Sequence, residues 1–356
     1  MPVDIPKTMR ALVENDAETG VTVASVPVPT PHAGDILVKV AYAGQNPTDW
    51  KHAAYLSRAG DILGCDFSGF VVAAPEGSGL AVGDRVAGAV HGGKFKDRGS
   101  YAEFLRVPAH LVWRVPNGVG LPEAAALGVA LGTSIQALVQ SQGVALPADG
   151  EGAPDRGWYF IYGGSTGVGL VAIALAKVLG YRVATVASPR NFDLVRSYGA
   201  DDVFDYAAGA DAVVAHVREV TGGVALGLDT ISDAASQAIS ARVFGDAGGQ
   251  LNLTLVPDAA AAALRPDVRL VPKLMYTYMT DEPFTISPRA APPVTVPVIP
   301  GDREFYAGAL KRYPDLLARG IRPPPVVLRG GLDDVPAGFE DMKNGKVSGE
   351  RYVYKL

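Results

Sequence analysis

At 356 residues, the chain is long enough for two domains with separate cores, and 48% hydrophobic against 19% charged residues describes a folded globular protein rather than a disordered one. A net charge of −5 argues against broad nucleic-acid binding. The single cysteine, Cys65, excludes an intrachain disulfide and a multi-cysteine zinc site and fits a cytoplasmic setting; residues 1–10 carry no apolar signal core, and no run approaches the ~20 apolar residues of a membrane span.

From Met9 to about Leu111, short β-rich runs alternate with Pro and Gly: Ala11–Val13, Val21–Val26, Ile36–Ala43, Phe70–Ala74 and Arg85–Val90. Short strands without long helices predict a small barrel-like β domain. Pro122 followed by alanines opens a helix that runs to Leu138 with an interruption near Gly132, and Gln142–Gly157 is a surface connection.

Trp158–Tyr162 suits a strand buried on both faces, and Gly163-Gly164-Ser165-Thr166-Gly167-Val168-Gly169 then turns into an apolar helix ending near Gly180. Such a turn is an anion site: amides at a helix start lack partners within the helix, and the dipole adds partial positive charge. The order of glycines is not the usual G-x-G-x-x-G, and from these residues alone a turn without ligand stays open. A second strand, Tyr181–Ala187, is followed by Ser188-Pro189-Arg190-Asn191. An NAD site places a carboxylate about 20 residues past the glycines; here Ser188 stands nineteen positions past Gly169 with no acid near. A hydroxyl, a guanidinium and an amide suit a 2′-phosphate, so NADPH is expected over NADH. Capping of a helix by Ser188 and Asn191 is the plainer alternative.

Strands at 202–205, 225–231 and 250–255 alternate with helices near 191–199, 210–220 and 233–244, the rhythm of a doubly wound parallel sheet. Met275–Met279 reads either as an apolar wall or as a strand. Residues 281–301 hold six prolines, which disfavours a central sheet position. A helix at 302–319 and a strand at Arg351–Leu356 complete the chain.

The motifs Asn46-Pro47-Thr48-Asp49-Trp50-Lys51, Gly64-Cys65-Asp66-Phe67-Ser68-Gly69, Gly83-Asp84-Arg85-Val86, Gly99–Phe104, Gly132-Thr133, Gly163–Thr166, Ser188–Asn191, Phe204-Asp205-Tyr206 and Gly345–Glu350 together resemble the medium-chain dehydrogenase/reductase superfamily. They look most like the stand-alone, trans-acting enoyl reductases of fungal iterative polyketide synthases. The resemblance implies an α/β fold: a β-rich GroES-like catalytic domain (1–125), a Rossmann doubly wound parallel-sheet domain for NADPH (126–275) and a return segment (276–356). Zinc alcohol dehydrogenases of the superfamily carry Gly-His-Glu where this chain has Gly64-Cys65-Asp66, and a cysteine near Asn46. With five histidines lacking paired spacing, a zinc site is not expected, and Cys65 reads as a small buried residue.

By the resemblance, hydride from NADPH is delivered to the β-carbon of an α,β-unsaturated polyketide thioester on the acyl carrier domain of a synthase. Lys51 and Thr133 are the implied catalytic pair at the nicotinamide and substrate carbonyl; residue type alone favours a solvated lysine and a packing threonine, and the resemblance reverses that. Implied cofactor contacts are Thr48, Ser165 to Val168 (Ser165, Thr166, Gly167, Val168), Ser188, Pro189, Arg190, Asn191, Tyr206, Leu253, Thr254, Val347 and Ser348. For substrate, the resemblance points to the helix segment Leu131, Gly132, Thr133, Ser134, Ile135, Gln136, Ala137 and Leu138, and to Thr277, Tyr278, Met279, Thr280 and Asp281. Tyr206 reads as core equally well, and Asp49 and Trp50 as structural. Relatives that dimerise pair the edge of the nucleotide sheet. If residues 281–301 border that edge, their prolines oppose the pairing, so a monomer is expected. A zinc-free NADPH quinone oxidoreductase shares the fold and cofactor site. A non-catalytic interaction protein is the other alternative, meeting an acidic carrier through Lys94, Lys96 and Arg98, a run that otherwise reads as a solvated loop.

Overall fold

The computed structural model describes residues 5–148 and 150–356; Met1–Asp4 of the N-terminal reading and Asp149 of the 142–157 connection lie outside them. The chain forms two compact units. One comprises residues 1–129, 276–314 and 323–356, the other 130–275 and 315–322.

The first unit opens with a hairpin of β1 (Thr8–Glu14) and β2 (Val21–Pro27), then β3 (Asp35–Gly44) and helix α1 (Pro47–Tyr55). The helix was not expected. Pro47 occupies its first turn, where a missing N–H costs nothing, and the buried Asp49 carboxylate accepts the Asn46 N–H at 2.7 Å, a helix start that a single proline disguises. Strand β4 (Asp66–Ala73) begins four residues before the predicted 70–74. Gly69 is not a break: a Cβ there would overlap the Lys39 carbonyl of the neighbouring strand, so glycine permits close approach. Strand β5 (Arg85–Ala89) follows as expected, whereas β6 (Phe104–Pro108) and β7 (Val112–Arg114) were missed.

The predicted helix 122–138 is broken earlier than Gly132. Helix α2 (Leu121–Ala124) ends, a turn covers 125–127, and α3 (Gly128–Ile135) continues through Gly132 into a π-helical segment, Gln136–Ser141. The break keeps Val129 N–H on the buried Asp66 carboxylate at 2.7 Å, which itself pairs with Arg351 at 2.5 Å.

The second unit carries β8 (Trp158–Tyr162), α4 (Gly167–Val178), β9 (Arg182–Ala187), α5 (Phe192–Ser197), β10 (Asp202–Asp205), α6 (Ala210–Thr221), β11 (Leu226–Asp229), α7 (Ala234–Arg242), β12 (Gly249–Leu253), α8 (Ala259–Leu264) and β13 (Val268–Pro272). The last helix and strand were not foreseen; a run of alanines and a short strand ending in proline carry little periodic signal. All pairings are parallel, in the order β10-β9-β8-β11-β12-β13. Chain direction across the sheet therefore reverses between β8 and β11, the switch point at which doubly wound sheets open a crevice. Phe160, Val186, Phe244 and Leu251 are buried in its core. Residues 315–322 join this unit through Arg319, which donates to the Glu151 and Ala148 carbonyls, and Arg322, whose guanidinium lies 4.1 Å from the Tyr198 ring centre.

The returning chain adds β14 (Phe284–Ile286) and β15 (Val294–Val296), helices α9 (Asp302–Leu310) and α10 (Tyr313–Ala318), then β16 (Val326–Arg329), α11 (Val335–Lys343) and β17 (Arg351–Lys355). The expected single helix at 302–319 is two, since Pro314 lacks the N–H a continuous helix needs. β16 and α11 escaped the sequence reading. β14 and β15 pair only with each other; they do not extend the six-stranded sheet, whose last strand is β13. Residues 281–301 thus supply no strand to that sheet. β17 pairs with β16 and β3, completing the order β16-β17-β3-β4-β5-β7, with β6 on β3.

Candidate functional site

In the second unit, the turn after β8 is built for close approach. Gly163 sits at φ 81°, in the left-handed region that favours glycine. A Cβ on Gly169 would overlap the Gly163 carbonyl, and one on Gly164 the Thr185 hydroxyl. Thr166 caps α4, accepting the Gly169 N–H at 2.9 Å and donating to Thr230 Oγ1 at 2.9 Å. The amides of Gly167 and Val168, in the first turn, have no acceptor within the helix and are left for an anion. Thr230 donates to the Tyr162 carbonyl at 2.8 Å, and the Thr254 N–H donates to Ser232 Oγ at 2.8 Å, so the carboxyl ends of β8, β11 and β12 are stitched together around the switch point. Leu253 is fully buried.

At the end of β9, Ser188 opens a 3₁₀ turn over Pro189–Asn191. Neither the Ser188 hydroxyl nor the Asn191 amide caps the helix that follows, so capping does not account for them. Arg190 is exposed and Asn191 buried, and no carboxylate follows β9 directly. Tyr206 is 48% exposed, not core. These features fit a nicotinamide dinucleotide, with glycine backbone and the helix-start amides placed for its pyrophosphate.

Thr133 is buried on α3 with its hydroxyl 3.9 Å from Met275 Sδ. Leu131, Ser134, Ile135, Ala137 and Leu138 are fully buried, and the π-helical segment is held by Asn252, whose amide donates to the Ala137 carbonyl at 2.7 Å.

In the first unit, α1 presents Thr48, Lys51 and His52. Lys51 is partly buried, which lowers its pKa from the usual lysine range. It makes no hydrogen bond or ion pair among the described residues, and its ammonium lies 5.8 Å from the Trp50 ring centre. Beneath it Asp49 is structural as expected, accepting from Tyr101 Oη at 3.0 Å, and burial pushes its carboxyl up to about 6.

Two of the five histidines, His52 and His91, come together with ring centres 5.4 Å apart. His52 Nδ1 lies 2.7 Å from the Gly92 carbonyl and therefore carries the proton; burial pushes the ring down to about 4, so it is neutral. Its Nε2 must then accept from Thr48 Oγ1 at 3.2 Å, and Thr48 in turn accepts from Tyr276 Oη at 2.7 Å. Tyr276 stacks on His91, with ring centres 3.7 Å apart. The Thr48–His52 spacing of four on one helix was the available signal for this chain of bonds; Tyr276 and His91 gave none, being distant in sequence. Cys65 is fully buried 3.6 Å from Tyr276 Oη, and burial pushes its thiol well above the usual value.

Met275–Met279 forms a 3₁₀ turn rather than a strand. Within it the Thr277 hydroxyl donates to Asp302 and Tyr278 stacks on Tyr306, ring centres 4.6 Å apart, while Met279 and Thr280 line a cavity. Asp281 is exposed and pairs with Arg303. Val347 packs on the first unit's core, and Ser348 follows it. The loop 94–98 is not simply solvated: Lys94 Nζ donates to the Thr285 carbonyl, and Asp97 pairs with the buried Arg106. Among the described residues no three His, Cys, Asp or Glu side chains converge as a metal ion would require, and no helix is long and apolar enough to cross a membrane.

The alcohol dehydrogenase GroES-like domain family matches residues 32–117, and the zinc-binding dehydrogenase family matches residues 167–254. The trans-enoyl reductase ACTTS2 of Alternaria alternata is 37% identical over 98% of this chain and 99% of its own. The chain belongs to the trans-enoyl reductases of the medium-chain dehydrogenase/reductase superfamily. This enoyl reductase, an oxidoreductase acting on a CH–CH bond, is also 34% identical to mycC of Thermothelomyces thermophilus, over 99% of this chain and 98% of that one. Its fold matches the CurK enoyl reductase (TM-score 0.77, 18% identity, 98% of this chain and 99% of that one). It also matches mycobacterial Rv1454c, solved with NADPH (TM-score 0.71, 23% identity, 98% and 100%).

Proposed function

We propose that this enoyl reductase uses NADPH to reduce an α,β-unsaturated polyketide thioester carried in trans by the acyl carrier domain of a polyketide synthase, and that it acts as a monomer. The observation that carries the cofactor reading is the carboxyl end of β9. The ribose-binding acid of an NAD site is missing there, the Ser188 hydroxyl caps no helix, and Arg190 is exposed. The whole-length likeness to trans-enoyl reductases supports the substrate reading.

Bound NADPH supplies a hydride for the β-carbon of the polarised double bond. The chain's own residues do the rest. The amides of Gly167 and Val168 receive the pyrophosphate, while Ser188 and Arg190 take the 2′-phosphate. Lys51, partly desolvated and free of a counter-ion among the described residues, stabilises the negative charge that develops on the thioester oxygen, Thr133 donates a hydrogen bond to the substrate, and the resulting enolate takes a proton at its α-carbon to give the saturated thioester. Thr48, fixed by His52 and Tyr276, holds the ribose side of the nicotinamide. NADPH oxidation measured with a crotonyl-type thioester, with a quinone and with neither tests the proposal. Turnover on the thioester is expected, and turnover on the quinone alone overturns it.

A further inference from the structure

The first unit contains a cavity lined by Val90, Phe95, Leu111, Met279 and Phe284, with His91 and Tyr276 stacked at its wall. Phe284 and Phe95 meet the His91 ring edge-on, their centres 5.3 and 6.2 Å from it, so the imidazole is boxed by three aromatic rings. Two arginines also reach the lining, yet neither has charge to spare. Arg106 is 3% exposed and clamped between Asp35 and Asp97, each at 2.5 Å. Arg98 pairs with Asp97 at 3.2 Å and lies over the Phe95 ring at 4.2 Å. His91 is neutral, because burial pushes its pKa well below 6.5. A carboxylate or phosphate would find no unpaired cation here, whereas a hydrocarbon gains about 0.8 kcal/mol per buried methylene, or about fourfold in affinity.

We infer that this cavity is the subsite for the distal hydrocarbon end of the acyl chain, and that the His91 ring is the stop that sets how long a chain it accepts. This inference rests on the acyl-thioester reading above. The stop is held from behind: Tyr276, stacked on His91, is pinned through Thr48 and His52 to the Gly92 carbonyl. The same His91 ring also lines a second depression, with Leu56, Lys94 and Ile286. Removing the ring therefore joins two spaces into one longer channel.

The test is calorimetric binding of saturated N-acetylcysteamine thioesters, from butyryl to dodecanoyl, to the NADP⁺-loaded protein, alongside reduction of the matching 2-enoyl thioesters. The dissociation constant is expected to fall about fourfold per methylene and then level off. His91→Ala should move that plateau to longer chains, and Met279→Trp, at a less buried position, to shorter ones. A dissociation constant indifferent to chain length, or a plateau that neither variant moves, overturns the inference. If His91→Ala does not fold, an unmoved plateau in Met279→Trp does so alone. Failure of the underlying reading looks different, since then no enoyl thioester is reduced at any length.

Discussion

Lys51 is carried into a partly desolvated position on α1 without a carboxylate beside it, so its ammonium is available for charge that appears only during reaction. Lys51→Ala is expected to lower kcat on an enoyl thioester by about 100-fold with little change in the NADPH dissociation constant; full retention of turnover removes Lys51 from the mechanism. His52 makes a separate prediction. Its folded pKa, about 4, lies below the 6.5 of the unfolded chain, so the unfolded state takes up the proton first. Its contribution is intact above pH 6.5, is lost progressively as pH falls from 6.5 to 4, and amounts to about 3 kcal/mol. The difference between urea midpoints at pH 7 and pH 4.5 should shrink in His52→Gln, and an unchanged difference refutes the assignment. Lys51 was proposed from the sequence because it sits in a compact motif. The Thr48–His52–Tyr276 chain was not, because two of its links depend on residues 276 and 92 folding back onto one helix.

The glycine turn and its helix were fully legible, since Gly163 to Gly169 compress the whole device into one stretch. Gly169→Ala should destabilise the protein by about 1–3 kcal/mol, because the new methyl overlaps the Gly163 carbonyl and the helix start must move; an unchanged urea midpoint contradicts this packing. At the end of β9, the double change Ser188→Ala with Arg190→Ala should weaken NADPH about tenfold or more while leaving NADH nearly unaffected. Equal loss for both cofactors would show that these residues do not read the 2′-phosphate. Elements whose boundaries were misread share a cause. Gly69 stands within β4 for close approach and Pro47 inside the start of α1, while Pro314 divides α9 from α10. The same two residue types that mark turns elsewhere do other work here.

At the scale of the whole molecule, the two-unit architecture was readable from the switch between β-rich and alternating segments, but not its interleaving. Residues 315–322 return to the second unit because Arg319 and Arg322 reach carbonyls more than a hundred residues away, a pairing no local pattern announces. The expectation of a monomer rested on prolines that flank a separate two-stranded sheet, and sedimentation equilibrium tests it: a mass near 37.0 kDa that is independent of concentration is predicted, and a stable dimer contradicts it. The central claim is hydride delivery to a conjugated thioester. Incubating the protein with a 2-enoyl thioester and NADPH deuterated at C4 of the nicotinamide, then locating the label by mass spectrometry and NMR, tests it most directly. The account predicts a saturated thioester with one deuterium on the β-carbon; recovery of the unsaturated thioester unchanged, or label elsewhere in the product, would contradict it.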